Sequence, residues 1–304
     1  MTSAVTLALS FQGDFVNPVI SGVIQGSLYG LVGLGLVLLY KGNRIFNFAQ
    51  GEFGTVAAFM CLILINGSKF MPKLPYPLAL LGGVIAGTLM GLLTERFVMR
   101  PLFRQPKVTL VVASAGVALL AIAIELLVNG TNLQNVRPIA SGTAFPVGSL
   151  QITKQQVAIL LVLGALAAVS ALFFSRTQTG IAILAVSQEP TATSLVGISV
   201  NRISSLTWGL AGFLGAIAGL LLAPSSAIAP GFMTTSLLIP SFTAAVFGGM
   251  TSLPGAFLGG VTIGVVEQFG AKVTVFPGAN SVAVFAVLLL VLLVRPSGLL
   301  GKEA

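Results

Sequence analysis

The hydrophobic pattern of the chain consists of long apolar runs that are separated by short polar breaks. A helix needs about 20 apolar residues to cross a hydrocarbon core of about 30 Å, and most of these runs reach that length. The predicted spans are residues 16–40, 46–66, 76–98, 108–128, 156–175, 204–223, 235–270 and 279–294. The pattern predicts an all-α polytopic membrane protein, a bundle of about eight transmembrane helices that forms one domain over residues 1–304.

The run at residues 235–270 differs from the others because the string GGMTSLPG interrupts it. Each arm has about 13 to 15 residues, which extend about 20 Å as a helix, less than the hydrocarbon core of about 30 Å. Either two short tilted helices cross the membrane, or a re-entrant hairpin dips in and returns. The predicted break contains Gly248, Gly249, Pro254 and Gly255.

Glycine recurs at every fourth position in several of the predicted spans. This spacing places the glycines on one face of a helix, where a neighbouring backbone can approach closely. The alternative is that a membrane helix simply tolerates glycine at these places. The stripes are Gly22, Gly26 and Gly30, then Gly83, Gly87 and Gly91, then Gly215 and Gly219.

The second span opens with the polar string NFAQGEFG, which is unusual inside apolar sequence. Asn47, Gln50 and Gly51 share one face of a regular helix, while Glu52 points elsewhere and lies one to two turns from the inner interface. A carboxylate in lipid is costly, so Glu52 is expected to face the bundle interior, a cavity or a basic partner such as Arg44. The cluster either lines a translocation path or fixes helix packing through hydrogen bonds.

Two polar segments are long enough to carry structure of their own. Alternation over residues 143–152 predicts a short hairpin. Residues 176–203 form a polar gap in which Pro190 suits the first turn of a helix, with Ser187 or Gln188 as a possible cap. A helix of about two turns over residues 191–196 would end at Gly197, and it would lie on the membrane surface as a docking surface rather than as a solvated loop.

Composition and charge support a membrane protein and suggest its orientation. The chain is 56% hydrophobic and 7% charged, with 15 Lys and Arg against 7 Asp and Glu, whereas soluble domains carry about a quarter charged residues. Placing residues 96–107 inside puts ten basic residues inside and five outside, which predicts an external N-terminus and a cytoplasmic C-terminus. Residues 1–15 lack the features of a cleaved signal peptide.

Few residues are suited to catalysis or metal binding. The chain has no histidine and one cysteine, Cys61, and it has no Gly-x4-Gly-Lys-Ser/Thr string for binding ATP phosphates. No two acidic residues form a compact pair in sequence, and Glu125 and Glu267 are expected to be solvated near the outer interface. The sequence therefore predicts no catalytic site, metal site or cofactor in this chain, and no nucleic-acid partner.

Five strings in the same order and spacing resemble the permease subunits of branched-chain amino acid ABC importers, the LivH side of the LivH/LivM pair. They are NFAQGEFG, AVSQEPTATSLVGISVNR, LLAP, AAVFGGMTSLPGAFLGG and RPSGLLG. The resemblance covers nearly the whole chain and implies a multi-pass protein of the bacterial cytoplasmic membrane. It also implies a second, LivM-like permease, two ATP-binding subunits that carry the ATP, and an extracytoplasmic solute-binding protein.

The resemblance further implies that the segment around residues 188–197 is a coupling helix that sits in a groove of an ATPase subunit. The residues that would make this contact are Gln188, Glu189, Pro190, Thr191, Leu195 and Gly197. The chain departs from the family at Leu184, where the family often has an arginine, so an ion pair there is absent or is replaced through Arg176 or Arg202.

The sequence can be compared with three classes of function. An ABC permease for branched-chain amino acids is favoured, with urea, short amides or another small solute as the alternative. An autonomous secondary transporter or channel would need carboxylates placed for ion coupling, and Glu52 is the one candidate. An intramembrane enzyme is disfavoured because histidine and paired acids are missing.

Overall fold

A computed structural model describes residues 16–68, 71–147, 150–272, 277–295 and 298–301. The prediction that residues 1–15 are not a cleaved signal peptide lies outside this described part. Five helices are long and apolar enough to cross a membrane by length and composition, and three shorter apolar helices accompany them. The prediction of an all-α polytopic membrane protein is confirmed.

The described helices and strands follow the predicted spans closely. They are α1 (Val16–Asn43), α2 (Gln50–Asn66), α3 (Tyr76–Leu93), α4 (Lys107–Asn129), β1 (Thr143–Val147), β2 (Leu150–Thr153), α5 (Lys154–Arg176), α6 (Gln178–Gln188), α7 (Pro190–Leu195), α8 (Val200–Leu222), α9 (Ile239–Gly248), α10 (Leu253–Lys272) and α11 (Ala279–Val294). A π-helical turn, Thr94–Met99, extends α3 into a last turn at Arg100–Leu102, and a second π-helical turn, Thr234–Leu238, precedes α9.

Helix α1 runs antiparallel to α10 along stripes of glycine on both helices. A Cβ atom placed on Gly26 or Gly260 would lie under 3 Å from the backbone of the other helix, and Gly22 and Gly264 meet in the same way. The glycine stripe predicted in α1 is therefore confirmed as a contact between two backbones. This contact makes α1 and α10 the centre of the bundle.

A second layer, formed by α2, α3 and α8, packs by the same rule. A Cβ atom on Gly87 would lie under 3 Å from the carbonyl oxygen of Phe53 in α2, and one on Gly91 would meet the carbonyl of Trp208 in α8. Gly219 of α8 lies equally close to the backbone of Gly54. Helix α2 is consequently buried on most sides, with Phe53 and Trp208 fully enclosed.

The interruption at residues 248–255 is a tight turn between two helices. Gly248 ends α9, Gly249 has a φ of 102°, and α10 begins at Leu253. Glycine suits this turn because a side chain with that φ would be strained. The backbones of Gly248 and Gly255 also pack so closely that a Cβ atom on either residue would clash with the backbone of the other.

The two arms of the broken segment differ in length and in where they pack. The first arm, Thr234–Leu238 with α9, begins beside Gly51 near the middle of the bundle, whereas α10 packs along α1 from Ala256 to Val265. The first arm is therefore a partial helix and the second is a long return helix. The second arm has 20 residues instead of the predicted 13 to 15, and the choice between two crossing helices and a re-entrant hairpin stays a prediction.

The two ends of the bundle are formed by different segments of the chain. At one, named here the basic end, Arg44, Gln188 and Ser252 line a common cleft, and Arg100 contacts the backbone of Asn201. At the other, β1 and β2 form the predicted antiparallel hairpin, and Gln134 pairs with Ile228. Arg44 and Arg100, which the charge count placed inside, thus lie at the same end, while the assignment of that end to the cytoplasm stays a prediction.

Candidate functional site

The chain enters α2 through backbone that is not helical. Helix α1 ends at Asn43, Arg44 has a φ of 55°, and α2 begins at Gln50. The Ser114 hydroxyl of α4 accepts a hydrogen bond from the Phe48 amide at 3.1 Å. Irregular backbone at membrane depth requires such partners within the protein. The irregular backbone thus precedes Gly51, which lies within the first turn of α2.

Asn47 and Gln50 are buried and act as packing residues. The Gln50 side-chain amide donates to the Ala211 carbonyl in the middle of α8 at 3.0 Å, and Asn47 accepts from the Ala49 amide at 3.0 Å. The structure gives both side chains the interhelical and local hydrogen bonds of a packing role. A role in lining a path stays a prediction.

Glu52 lies deeper than its sequence position indicated. Gln50 already sits at the middle of α8, so Glu52 lies further from the basic end than one to two turns. Its carboxylate is fully buried, and neither oxygen has a hydrogen-bond partner among the described residues. Arg44 instead lies over the Tyr40 ring, so the suggested pair with Glu52 is not formed.

Glu125 is buried, and the prediction that it is solvated was wrong. Its side chain is 6% exposed, and one oxygen accepts the Gly231 amide at 3.0 Å. Its carboxyl group also interacts with that of Glu52. The two residues are far apart in sequence, so their meeting depends on how α2, α4 and residues 223–233 pack.

Glu267 is also partly buried rather than solvated. The Tyr29 hydroxyl donates to one of its oxygens, and the Asn280 side-chain amide donates to the other at 3.4 Å. These contacts join α1, α10 and α11, so Glu267 has a packing role.

The predicted surface helix is present as α7, with small differences. It spans Pro190–Leu195, and Glu189 occupies the N-cap without a side-chain cap hydrogen bond. The capping role suggested for Ser187 or Gln188 was therefore wrong. Gly197 has a φ of 87°, which fits its predicted place at the end.

Helix α7 presents an unpartnered surface at the basic end. Leu195 is 84% exposed and Val196 is 75% exposed, and Gln188, Glu189, Pro190 and Thr191 are exposed beside them. Thr193 is the buried member and donates its hydroxyl to the Glu189 carbonyl at 2.7 Å. The surface is thus ordered by its own hydrogen bonds and open to a partner.

The first turns of α8, just after α7, are fixed to two other helices. The Arg100 guanidinium forms a salt bridge of 2.9 Å with the buried Glu95 carboxylate and also donates to the Asn201 carbonyl. Ser205 donates to Glu95 at 2.9 Å, and Ser204 donates to the Asn43 side chain at 3.2 Å. Sequence reasoning assigned Arg100 only to the basic loop, because Glu95 and Ser205 are distant from each other in the chain.

The salt bridge gives a prediction about stability. Arg100→Met should lower the midpoint of thermal unfolding, because it leaves the buried Glu95 charge unpaired at a cost of about 3–5 kcal/mol. The double variant Glu95→Leu/Arg100→Met should recover most of this loss, since no charge then remains buried. Arg96→Met, which changes an exposed arginine, is the control. Equal losses in the single and double variants would contradict this account of the salt bridge.

Leu184 lies in the wall of the cleft at the basic end. The cleft has a volume of about 810 Å³ and is also lined by Tyr40, Lys41, Gln188 and Ser252. Leu184 packs against the hydrophobic core. The described residues show no replacement of the missing arginine by Arg176 or Arg202 in an ion pair.

The segment near the C-terminus closes over the break at residues 248–255. The Leu299 amide donates to the Phe247 carbonyl at 2.8 Å, and the Leu300 amide donates to that of Gly248 at 3.1 Å. These bonds satisfy carbonyl groups that the end of α9 would otherwise leave without partners. The broken segment therefore acts as a fixed turn at the basic end.

The chain is similar to known transport permeases over nearly its full length. Residues 19–293 match the family described as the permease component of branched-chain amino acid transport systems. The branched-chain amino acid permease protein BraD of Pseudomonas aeruginosa is 30% identical over 296 residues, which cover 95% of this chain and 96% of that protein. LivH of Salmonella typhimurium is 27% identical with the same coverage. LsrD of Escherichia coli, named as an autoinducer 2 import permease, is 25% identical over 90% of this chain and 82% of that protein.

Proposed function

The chain belongs to the family of permease components of branched-chain amino acid transport systems, and from this premise we propose that it is one permease half of an ATP-driven importer for branched-chain amino acids. The observation that carries the coupling part of the proposal is α7, an ordered helix with an exposed apolar end. A chain without a phosphate-binding loop must receive the energy of ATP hydrolysis from another subunit. An exposed helix at the basic end gives that subunit a place to bind.

The route of coupling follows the contacts of α8. A force applied at α7 passes directly to the first turns of α8, because only residues 196–199 separate the two helices. There the bonds from Arg100 and Glu95 connect α8 to the end of α3, and Ser204 connects it to the end of α1. Tight packing of α8 on α2 then carries the movement to the middle of the bundle.

The proposed assembly has four kinds of partner around this chain. A second, LivM-like permease completes the path, two ATP-binding subunits dock at the basic end, an extracytoplasmic binding protein delivers solute to the opposite end, and lipid surrounds the rest. The basic end is then cytoplasmic, with the N-terminus outside and the C-terminus inside a bacterial cytoplasmic membrane. ATP binds to the partner subunits, and this chain has no catalytic role.

The proposed solute is a branched-chain amino acid because the relatives that match over the greatest share of their length carry that solute in their names. The named solute of LsrD is different. The proposal is tested by competition: with the assembled transporter in proteoliposomes, unlabelled valine and isoleucine should reduce uptake of labelled leucine, and urea or acetamide should not. If urea competed as well as valine and isoleucine, the result would indicate a small amide as the solute instead of an amino acid.

Assembly with ATPases is tested by purification. The chain, carrying an affinity tag and expressed with the other four genes of its transport system, should retain two ATP-binding subunits and a second permease through size-exclusion chromatography. Recovery of a folded chain without ATPase subunits, active in uptake by itself, would assign it instead to the autonomous transporters.

A further inference from the structure

Four buried oxygen atoms without hydrogen-bond partners gather between α2, α4 and the turn before α9. They are both carboxylate oxygens of Glu52, one oxygen of Glu125 and the Thr234 hydroxyl. Glu52 is 0% exposed, and its carboxyl group lies close to that of Glu125 and to the hydroxyls of Thr234 and Thr55 without reaching hydrogen-bond geometry with them. All four atoms are oxygens, and three belong to carboxyl groups. What the site lacks is therefore a positively charged or hydrogen-donating ligand.

The surrounding protein supplies almost none of that positive charge. The Gly231 amide donates to Glu125 at 3.0 Å, and neither Glu52 nor Glu125 forms an ion pair with any described Lys or Arg. Burying negative charge inside a membrane without compensation is costly. The Gly231 backbone also lies against Glu52, since a Cβ atom there would lie 3.7 Å from one carboxylate oxygen. Both acids thus face one small volume.

The character of the ligand follows from the ligating atoms. Carboxylate and hydroxyl oxygens bind hard cations and ammonium groups. Among the described residues, no three His, Cys, Asp or Glu side chains are grouped so that they could hold a metal ion together, which disfavours a transition metal. Two adjacent carboxyl groups that share one proton carry a single negative charge, which a singly charged cation balances.

We propose that Glu52, Glu125 and Thr234 form an intramembrane site for one monovalent cation, either a dehydrated alkali ion or the primary ammonium group of the transported solute. The alkali-ion form stands independently of the proposed function, whereas the ammonium form rests on it. Ile122 of α4 covers the site, since its side chain lies 3.0 Å from the position of a Cβ atom on Gly231.

The test measures equilibrium binding to the whole transporter in nanodiscs, without the binding protein. One arm uses ²²Na⁺, and the other uses labelled leucine in N-methyl-D-glucamine buffer. Glu52→Gln and Glu125→Gln should each weaken binding in one arm by about tenfold or more, because each removes a carboxylate oxygen that binds the cation. The arm that responds identifies the cation.

Three further variants separate a binding site from a merely structural one. Glu267→Gln changes a membrane-embedded acid that already has partners and should bind as the wild type does. Thr234→Val removes one ligating oxygen, leaves both acids in place and should weaken binding about threefold or more. Ser241→Ala removes another buried hydroxyl without a partner, away from the site, and should have no effect.

These binding measurements decide whether the site exists. They also distinguish failure of the site from failure of the proposed transport function. The proposal would be overturned if the wild-type transporter bound neither probe above the level of the Glu52→Gln variant. Unchanged binding in both Gln variants would also overturn it. A transporter that takes up leucine normally, and whose Glu52→Gln and Glu125→Gln variants bind both probes as the wild type does, keeps its function and loses this site. Glu52-dependent ²²Na⁺ binding without amino acid uptake keeps the site and refutes the function.

Discussion

Replacing Leu195 by aspartate is expected to lower ATP-driven uptake by about tenfold to a hundredfold while the chain still assembles in the membrane. Leu195 is 84% exposed, so the substitution costs little within the chain. At an interface, loss of an apolar anchor costs about 2 kcal/mol or more, and burying a new carboxylate adds to that cost. The readouts are leucine uptake and the amount of ATPase subunit that co-purifies.

The control for this experiment is Leu133→Asp, the same change at an exposed position on the side of the bundle away from α7. It should retain the ATPase subunits at the wild-type ratio. Glu189→Arg and Gly197→Trp extend the test: Glu189→Arg changes the docking surface alone, whereas Gly197→Trp also strains the end of α7, because Gly197 has a φ of 87°. Wild-type uptake and ATPase retention in all three α7 variants would remove the docking role of α7.

The second large effect is structural and concerns the centre of the bundle. Gly260→Leu should abolish recovery of monodisperse protein, because its side chain would enter the backbone of α1 at Gly26 and Gly30. Overpacking a core usually costs about 1–3 kcal/mol, and a clash with backbone has no flexible atom to yield. Gly116→Leu is the control, since nothing lies within 4 Å of a Cβ atom there.

The measurement for this prediction is fluorescence-detected size exclusion of both variants after the same extraction. A sharp peak for Gly260→Leu with a melting temperature near that of the wild type would show that α1 and α10 tolerate separation. The glycine contact would then be a by-product of packing rather than its cause.

The parts of the fold that were predictable from sequence depend on local pattern. Membrane spans follow from runs of apolar residues, and glycine stripes follow from the helical period. Gly197 could be placed at the end of α7 because helices commonly end at a glycine with a positive φ. Its φ in the structure is 87°. Each of these features needs only neighbouring residues, so one sequence contains the whole signal.

The parts that were missed depend on contacts between distant residues or on local geometry that the hydrophobic pattern does not encode. Glu125 looked solvated because it lies near the end of an apolar run, yet its burial depends on Gly231, 106 positions later. Arg100 looked like an ordinary basic loop residue, and its pairing with Glu95 needs a π-helical turn that no local pattern announces. Helix α6 was hidden because residues 178–188 were read as part of a polar loop.

The candidate site shows the same division. The sequence singled out Glu52 because a charge inside an apolar run is unusual, and its burial is confirmed. Its partner could not be found, because Glu125 becomes a neighbour only when α4 packs over α2. The roles of Asn47, Gln50 and Gly51 in a path stay predictions, while Gly248, Gly249, Pro254 and Gly255 lie at the break between α9 and α10.

The central claim is that this chain works as a permease driven by ATPase subunits that dock on α7. The most direct measurement is uptake of labelled leucine by proteoliposomes that contain the full transporter, the binding protein and ATP, compared with liposomes that contain this chain alone. The account predicts ATP-dependent uptake by the full transporter, loss of uptake when ATP is replaced by a non-hydrolysable analogue, and none by the chain alone. Solute accumulation by the chain alone, or uptake by the full transporter that is indifferent to ATP, would contradict it.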